Sequence, residues 1–384
     1  MYLHEHTGWT HFVWDDAQVL PLIGQVRFAQ GELLGTIRHV GFSAGAKVEA
    51  DMLANEVIAS SRIEGVELDA VKVRSSVARH LGLEDPHGHL DTHDVDGMVS
   101  IMMDATKQFD RPLSSERLFG WHHALFPSGC SGLHRIQVAE YRDRPMSVVS
   151  GPIGRKTVHF SAPDAEQLPS LMDEFIGWFN GDDSEPLLKA GLAHLWFLTI
   201  HPFDDGNGRI ARALTELLLA RSDGSARRFY SMAGFILAHR ETYYAELEQA
   251  QKGTNDVTAW LVWFLGALHG SIEYSLQTVL DVLEREAFWS SLSGVALNER
   301  QCKVLARLKG GFEGKLTAAK WAKMCKVSPD TALRDINDLI AKGVLVRADG
   351  GGRSTAYALN ERQVPQNFSP AFAQLNAGIS SKTP

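Results

Sequence analysis

The chain has 384 residues, more than one hydrophobic core usually organises, so two or three domains are expected. With 44% hydrophobic and 22% charged residues and a formal charge of −8, it reads as an ordinary globular chain and not as a wholesale nucleic-acid binder. Cys130, Cys302 and Cys325 form no CxxC pair, which excludes a disulfide framework and a thiolate metal site and points to a reducing, cytoplasmic setting.

Along the chain, Met1 to Asp16 lacks a basic start followed by an apolar run, so it is not read as a secretory signal. Leu20, Ile23, Val26, Leu33, Leu34 and Ile37 recur at helical intervals, as do Met52, Leu53, Val57 and Ile58. Leu83 to His93 is a polar break read as a loop. Ser114 or Ser115 is the expected N-cap of the next amphipathic helix. Between Arg142 and Pro163 the β-branched runs MSVV and TVHF flank SGPIGRK, which predicts a hairpin. The helix LPSLMDEFIGWFN follows, and then Leu187 to Ile200. That segment is apolar nearly all round and is therefore expected to be central and buried. Helical texture resumes at Arg209 and persists to about Ser290. The longest apolar stretches are too short to span a bilayer, so no membrane partner is expected.

Residues 297–360 carry 12 Lys and Arg against 6 Asp and Glu, a basic segment on an acidic protein and so a separate module. Thr317 is expected to cap a short helix there, and Ser328-Pro329 to start a second, with Leu333, Ile336, Leu339 and Ile340 on its apolar face. GVLVRADGGGRSTAYAL then reads as two short strands around a Gly-rich tip. The pattern resembles a winged helix-turn-helix. Its second helix would expose Asp330, Thr331, Arg334 and Asn337, with Arg353 on the wing as a further DNA contact. Asp330, Asp335 and Asp338 on the same helix argue instead for a protein partner, and both readings stay open. Residues 361–384 read as a loose tail.

The richest segment is HPFDDGNGRIAR, His201 to Arg212. Gly206, Asn207 and Gly208 fall where one helix has stopped and the next begins, so backbone N–H groups and the helix dipole make an anion cradle. Arg209 and Arg212, spaced i,i+3, project from one face, where two cations disfavour the helix start unless they grip anionic oxygens. Asp205 adds a carboxylate suited to a Mg²⁺ that also touches phosphate. His201 is a plausible general base. The set describes phosphoryl or nucleotidyl transfer to a hydroxyl.

At this point the sequence resembles the Fic-domain proteins, whose signature His201-x-Phe203-x-Asp205-Gly206-Asn207-Gly208-Arg209-x-x-Arg212 it matches at every fixed position. The resemblance implies a helical core that transfers AMP from ATP to a Ser, Thr or Tyr hydroxyl of a protein target, the chain itself included as one option. It implies His201 as the base, Asp205 as the Mg²⁺ ligand, and Asn207, Gly206 and Gly208 at the phosphates. Arg209 would hold the phosphate chain, Arg212 would orient the γ-phosphate, and Phe203 would pack in the core. The hairpin, with Val148 and Val149, would be the flap that holds a target strand. Tyr243 and Tyr244 would line the adenine pocket, or be core. Ser60-x-x-x-Glu64-Gly65 is similar to the family's inhibitory motif, with Glu64 pairing to Arg212.

The expected fold is mainly α: an N-terminal helical region over 1–100, a Fic core over 101–290 with its flap at about 142–163, and a small α+β winged helix. A homodimer is expected through the N-terminal helices. Rival readings are a DNA-binding regulator whose site senses nucleotide, an enzyme that removes AMP, and one that uses another donor.

Overall fold

The computed structural model describes residues 1–38, 42–85, 88, 90–150, 157–181, 183–310, 312, 314–348 and 355–360. The wing residue Arg353, the tip of the flap and the tail 361–384 lie outside the described residues. The chain divides into two compact units, Met1–Val279 and Leu280–Pro384. No helix among the described residues is long and apolar enough to cross a membrane.

The first unit is mainly helical. It runs through α1 (Asp16–Arg38), α2 (Phe42–Ile63), α3 (Ala70–His80), α4 (His93–Lys107) and α5 (Ser115–Leu125). Two small antiparallel hairpins follow, β1 (Cys130–Ser131) with β2 (His134–Arg135), and β3 (Ser147–Ser150) with β4 (Thr157–Ser161). Then come α6 (Leu168–Gly181), α7 (Pro186–Ile200), α8 (Asn207–Asp223), α9 (Met232–Ala238), α10 (Arg240–Gln251) and most of α11 (Thr258–Ser291).

The centre of this unit is α7. Glu185 caps it by accepting from the N–H groups of Leu187 and Leu188, and Pro186 sits in the first turn, where a missing N–H costs nothing. Every residue from Leu187 to Ile200 is buried, as the all-round apolar sequence requires. α11 approaches α7 closely at Gly191, whose carbonyl accepts from Trp260 Nε1 at 2.8 Å; a Cβ there would meet the Phe264 ring at 3.0 Å. Ser114 is the N-cap of α5, while the neighbouring Ser115 hydroxyl bonds Tyr141 instead. In α1 the buried stripe is Val19, Ile23, Val26, Leu33 and Ile37. Leu20, which the spacing put on that face, is 56% exposed because Val19 takes the inward position.

In the flap hairpin, Ser147 faces Ser161, Val148 faces Phe160, and a bulge shifts the register before Val149 meets Val158. Phe160 is buried and anchors the hairpin, whereas Val148 and Val149 remain exposed at its outer strand.

The second unit contains α12 (Glu299–Lys309), α13 (Ala318–Cys325) and α14 (Pro329–Ala341), followed by β5 (Leu345–Ala348) paired antiparallel with β6 (Ala356–Leu359). Thr317 and Ser328 cap α13 and α14 through N–H bonds to their hydroxyls, and Asn298 caps α12 in a reciprocal box with Gln301. Trp321, Ile336, Leu339, Leu345 and Tyr357 share one core. Leu333 is 38% exposed, because Ala332 and Ile336 carry the inward face of α14. Asp335 is turned inward, accepting from Arg300 at 2.7 and 2.9 Å and from Asn298 at 3.0 Å.

Candidate active site

α7 ends at His201, whose backbone is left-handed (φ 51°) although it is not glycine. This uncommon conformation turns the chain out of the helix and into the motif loop. Arg142 holds it in place. Its Nε donates to the His201 carbonyl at 2.9 Å, and its terminal nitrogens donate to the carbonyls of Arg144 and Pro163, each at 2.7 Å. The His201 Nδ1 lies 3.2 Å from the Leu198 carbonyl, which assigns the proton to Nδ1 and leaves the Nε2 lone pair to accept one. Burial pushes the imidazolium down to about 4, so the ring is neutral near pH 7.

The loop closes on itself. Phe203 is fully buried, stacked on the His122 ring, and Asn207 bonds both backbone groups of Phe203, accepting from its N–H at 3.0 Å and donating to its carbonyl at 2.7 Å. The Asn207 side chain is thereby spent on the loop, and what it offers an anion is its backbone N–H.

Gly206 is left-handed (φ 83°), and a Cβ there would press on Leu125 and Phe126 at 3.0 Å. The N–H groups of the first turn of α8 lack intrahelical partners by geometry and form the cradle. Arg209 and Arg212 are both buried, and Arg209 lies over the Phe126 ring. Among the described residues, none accepts from the buried donors Arg209 Nε and Arg212 Nη1. Such donors are costly unless an anion meets them, which fits a phosphate chain. Burial lowers the Arg209 pKa; at Arg212 burial is again the largest single effect, but the charge and hydrogen bond of Glu64 together with Tyr243 and Tyr244 outweigh it and raise the pKa.

Asp205 is the more exposed of the two motif aspartates. One carboxylate oxygen accepts from the Gly206 N–H at 2.5 Å and lies 3.6 Å from Arg209 Nη2; the other accepts from the Ser131 hydroxyl. Among the described residues no cluster of three or more His, Cys, Asp or Glu side chains could cage a metal. A single carboxylate beside an anion cradle instead fits Mg²⁺, which takes one or two carboxylates and fills its shell with phosphate oxygens and water. Asp204, by contrast, is structural: it accepts from the Gln137 N–H and from Arg144.

Glu64 reaches this cradle from α2. Gly65 (φ 78°) ends that helix, with Gly65 N–H bonded to the Arg62 carbonyl and Val66 N–H to the Ser61 carbonyl, a Schellman stop. The Glu64 carboxylate leaves the negative end of α2 and lies on the positive end of α8. It accepts from Arg212 Nη2 at 2.7 Å, and a Cβ on Gly208 would come within 2.0 Å of it. Buried Ser60 completes the clamp, its hydroxyl accepting from Arg212 Nε and its carbonyl from Arg212 Nη2, each at 2.8 Å.

A second anchor of α2 was not legible in the sequence. Glu56 accepts from the Ser231 hydroxyl and the Ala233 N–H at the start of α9, and burial pushes its carboxyl up to about 8.

The tyrosines separate. Tyr243 is buried and its hydroxyl bonds His194 Nε2 at 2.9 Å, while His194 Nδ1 bonds the Thr215 hydroxyl at 2.9 Å. That places Tyr243 in the core, close to Arg212. Tyr244 is 37% exposed and donates to the Ile63 carbonyl at the end of α2. Thr331 is used in capping α14, and Arg334 and Asn337 are exposed on it.

Among known families, the Fic/DOC family matches residues 112–219, the stretch that holds the motif, the flap, α7 and most of α8. The chain carries a Fic domain. Outside it, a domain of unknown function, DUF4172, matches residues 2–83, and a DeoR-like helix-turn-helix domain matches residues 300–356. The chain is similar to a protein adenylyltransferase Fic of Culex quinquefasciatus, 37% identical over 94 residues, which is 24% of this chain and 18% of the relative. A protein adenylyltransferase of Caenorhabditis briggsae is 29% identical over 159 residues, 40% of this chain and 29% of the relative. The chain thus matches under a third of the length of these curated relatives. In fold it is similar to a Fic family protein from Desulfovibrio desulfuricans (TM-score 0.50, 20% identity, 90% of this chain and 96% of that one). A Fic domain containing signaling protein from Bacteroides thetaiotaomicron has TM-score 0.50 and 18% identity, over 66% of this chain and 97% of that one.

Proposed function

We propose that the chain is a protein adenylyltransferase held in check by Glu64. The observation that carries this is the Glu64 carboxylate resting on Arg212 at 2.7 Å against Gly208, an anion already seated where a phosphate of ATP has to go. The relatives' printed name, protein adenylyltransferase, supports the donor and the reaction type.

In this reading Arg209, Arg212 and the first-turn N–H groups of α8 grip the phosphates of ATP. Asp205 holds Mg²⁺, which when bound neutralises charge on the phosphate oxygens. A Ser, Thr or Tyr hydroxyl of a target, held against the flap at Val148 and Val149, gives its proton to His201 Nε2. Its oxygen forms a bond to the α-phosphorus as the bond to the bridging oxygen breaks, and pyrophosphate leaves. His201 arrives neutral and oriented by Leu198, as a base must.

The test is transfer of α-labelled ATP with Mg²⁺ to the protein and to host lysate, comparing wild type, Glu64→Gly, and Glu64→Gly with His201→Ala. Label that rises with the first change and vanishes with the second is expected. No label in any variant while ATP still binds would overturn the transferase in favour of a nucleotide sensor.

For the C-terminal unit we infer duplex DNA as partner. The DeoR-like match supports it, as does the internal pairing of Asp335 and Asp338, which takes up two of the three aspartates that argued for a protein and leaves Asp330 exposed. Arg334→Ala should weaken DNA binding and flatten its salt dependence; unchanged binding would favour a protein partner.

A further inference from the structure

His122 belongs to none of the motifs, yet it is wholly buried on α5 beside the motif loop. Four contacts fix it. The Ala139 N–H donates to its Nδ1 at 3.2 Å, and its Nε2 lies 3.1 Å from the Asp205 backbone carbonyl. The ring stacks on Phe203 at 4.3 Å with an 11° interplanar angle, and meets Phe126 edge-on at 5.2 Å. Because Nδ1 must accept from a backbone N–H, the single proton of the neutral ring sits on Nε2 and is donated to Asp205. Ala139 is itself left-handed (φ 62°) without being glycine, so the segment that presents this N–H is held in an uncommon conformation.

The consequence falls on Asp205. Its peptide plane is held from behind by His122, and its carboxylate is then aimed by the Gly206 N–H and the Ser131 hydroxyl. Without the bond from His122 the carbonyl has no buried donor and the peptide is free to rotate, taking the carboxylate with it. We propose that His122 is a positioning residue of this site: locked by Ala139 into one tautomer, it holds the Asp205 peptide so that the carboxylate faces the metal and phosphates. This rests on the reading of Asp205 as the Mg²⁺ ligand given above. Groups that orient a ligand from behind are worth about 10- to 100-fold in metal affinity.

Two substitutions separate orientation from packing. His122→Gln carries an amide nitrogen to the place of Nε2 and keeps the donor to Asp205. His122→Asn carries an amide oxygen to the place of Nδ1 and keeps the acceptor for Ala139, but loses the donor. Both lose the ring that stacks on Phe203, so both should lower the melting temperature alike.

The measurement is ATP affinity by calorimetry across a Mg²⁺ titration, in the full chain carrying Glu64→Gly so that the cradle is open. The Mg²⁺-dependent part of binding should weaken about tenfold or more in His122→Asn and stay within about threefold in His122→Gln. Equal losses in the two variants, or losses that follow the melting temperature, would overturn the proposal. If the Glu64→Gly chain binds no ATP at all, the transferase reading has failed instead. Amide exchange at Gly206, whose N–H is held by the Asp205 carboxylate, then decides the matter. Faster exchange in His122→Asn than in His122→Gln supports the positioning role, and equal exchange refutes it.

Discussion

Removing the Glu64 carboxylate is the change with the largest expected effect. Arg212 is 2% exposed in its side chain and Glu64 29%, so their 2.7 Å contact is partly withdrawn from solvent and more than a surface pair. A hydrogen bond to a charged group contributes about 1.5–3 kcal/mol. At tenfold per 1.4 kcal/mol, clearing Glu64 from Arg212 should raise apparent transfer at subsaturating ATP by about 10- to 100-fold. The assay is the initial rate of α-labelled ATP incorporation as a function of ATP concentration, with Glu64→Gln as an uncharged control of similar size. The control should fall between wild type and Glu64→Gly. The same change leaves Arg212 buried without its carboxylate, so Glu64→Gly should melt lower without nucleotide and recover more than wild type when ATP is added. If Glu64→Gly transfers at the wild-type rate while remaining dependent on His201, Glu64 is not a brake and the reasoning fails.

Further outcomes follow from other contacts. Gly208→Ala places a methyl within 2.0 Å of the Glu64 carboxylate, so its stability cost should shrink in the Glu64→Gly background; additive costs in a double-mutant cycle would show that the two do not meet. Tyr243→Phe deletes a buried hydroxyl that His194 needs, which should cost about 1–3 kcal/mol in denaturant unfolding and leave ATP affinity unchanged. A loss of ATP affinity there, with stability intact, would return Tyr243 to the nucleotide pocket. Burial depresses His201 and His122 to about 4 and His194 to about 3, from an ordinary 6.5. The unfolded chain therefore takes up these protons first as pH falls. The stability that the neutral rings contribute is complete above about 6.5, and each ring loses up to about 1.4 kcal/mol per pH unit between there and about 4. A urea midpoint that does not move between pH 7 and pH 5 would refute the buried-neutral assignment.

Much of the site is legible because its chemistry is local. Twelve consecutive residues, His201 to Arg212, carry the histidine, the carboxylate, the glycines and both arginines, and helical spacing alone puts Ser60 and Glu64 on one face. Where function depends on partners distant in sequence, the reading falls short. Ser131 and His122 act on Asp205 from 74 and 83 positions away, and Arg142 reaches His201 across 59. Each acts through a backbone carbonyl or a shared carboxylate, contacts that leave no periodicity. The Tyr243-Tyr244 pair shows the limit of spacing from the other side: adjacent residues on a helix face different ways, and only the presence of His194 decides which one is core. Asp335 is similar, since nothing in the order of residues along α14 announces that Arg300 waits on α12.

Arg142 has a consequence for how such a chain can change. One guanidinium ties the two ends of the segment that contains the flap, Arg144 and Pro163, to the carbonyl of His201. The root of the hairpin and His201 are thus tied together by one side chain. Insertions, deletions or wholesale exchange of the hairpin's outer part alter which surface is presented to the histidine without altering where the histidine stands. If the chain transfers a nucleotide as proposed, recognition is free to drift while the chemistry stays in register, and a designer who wants a new client for this scaffold has a defined place to cut.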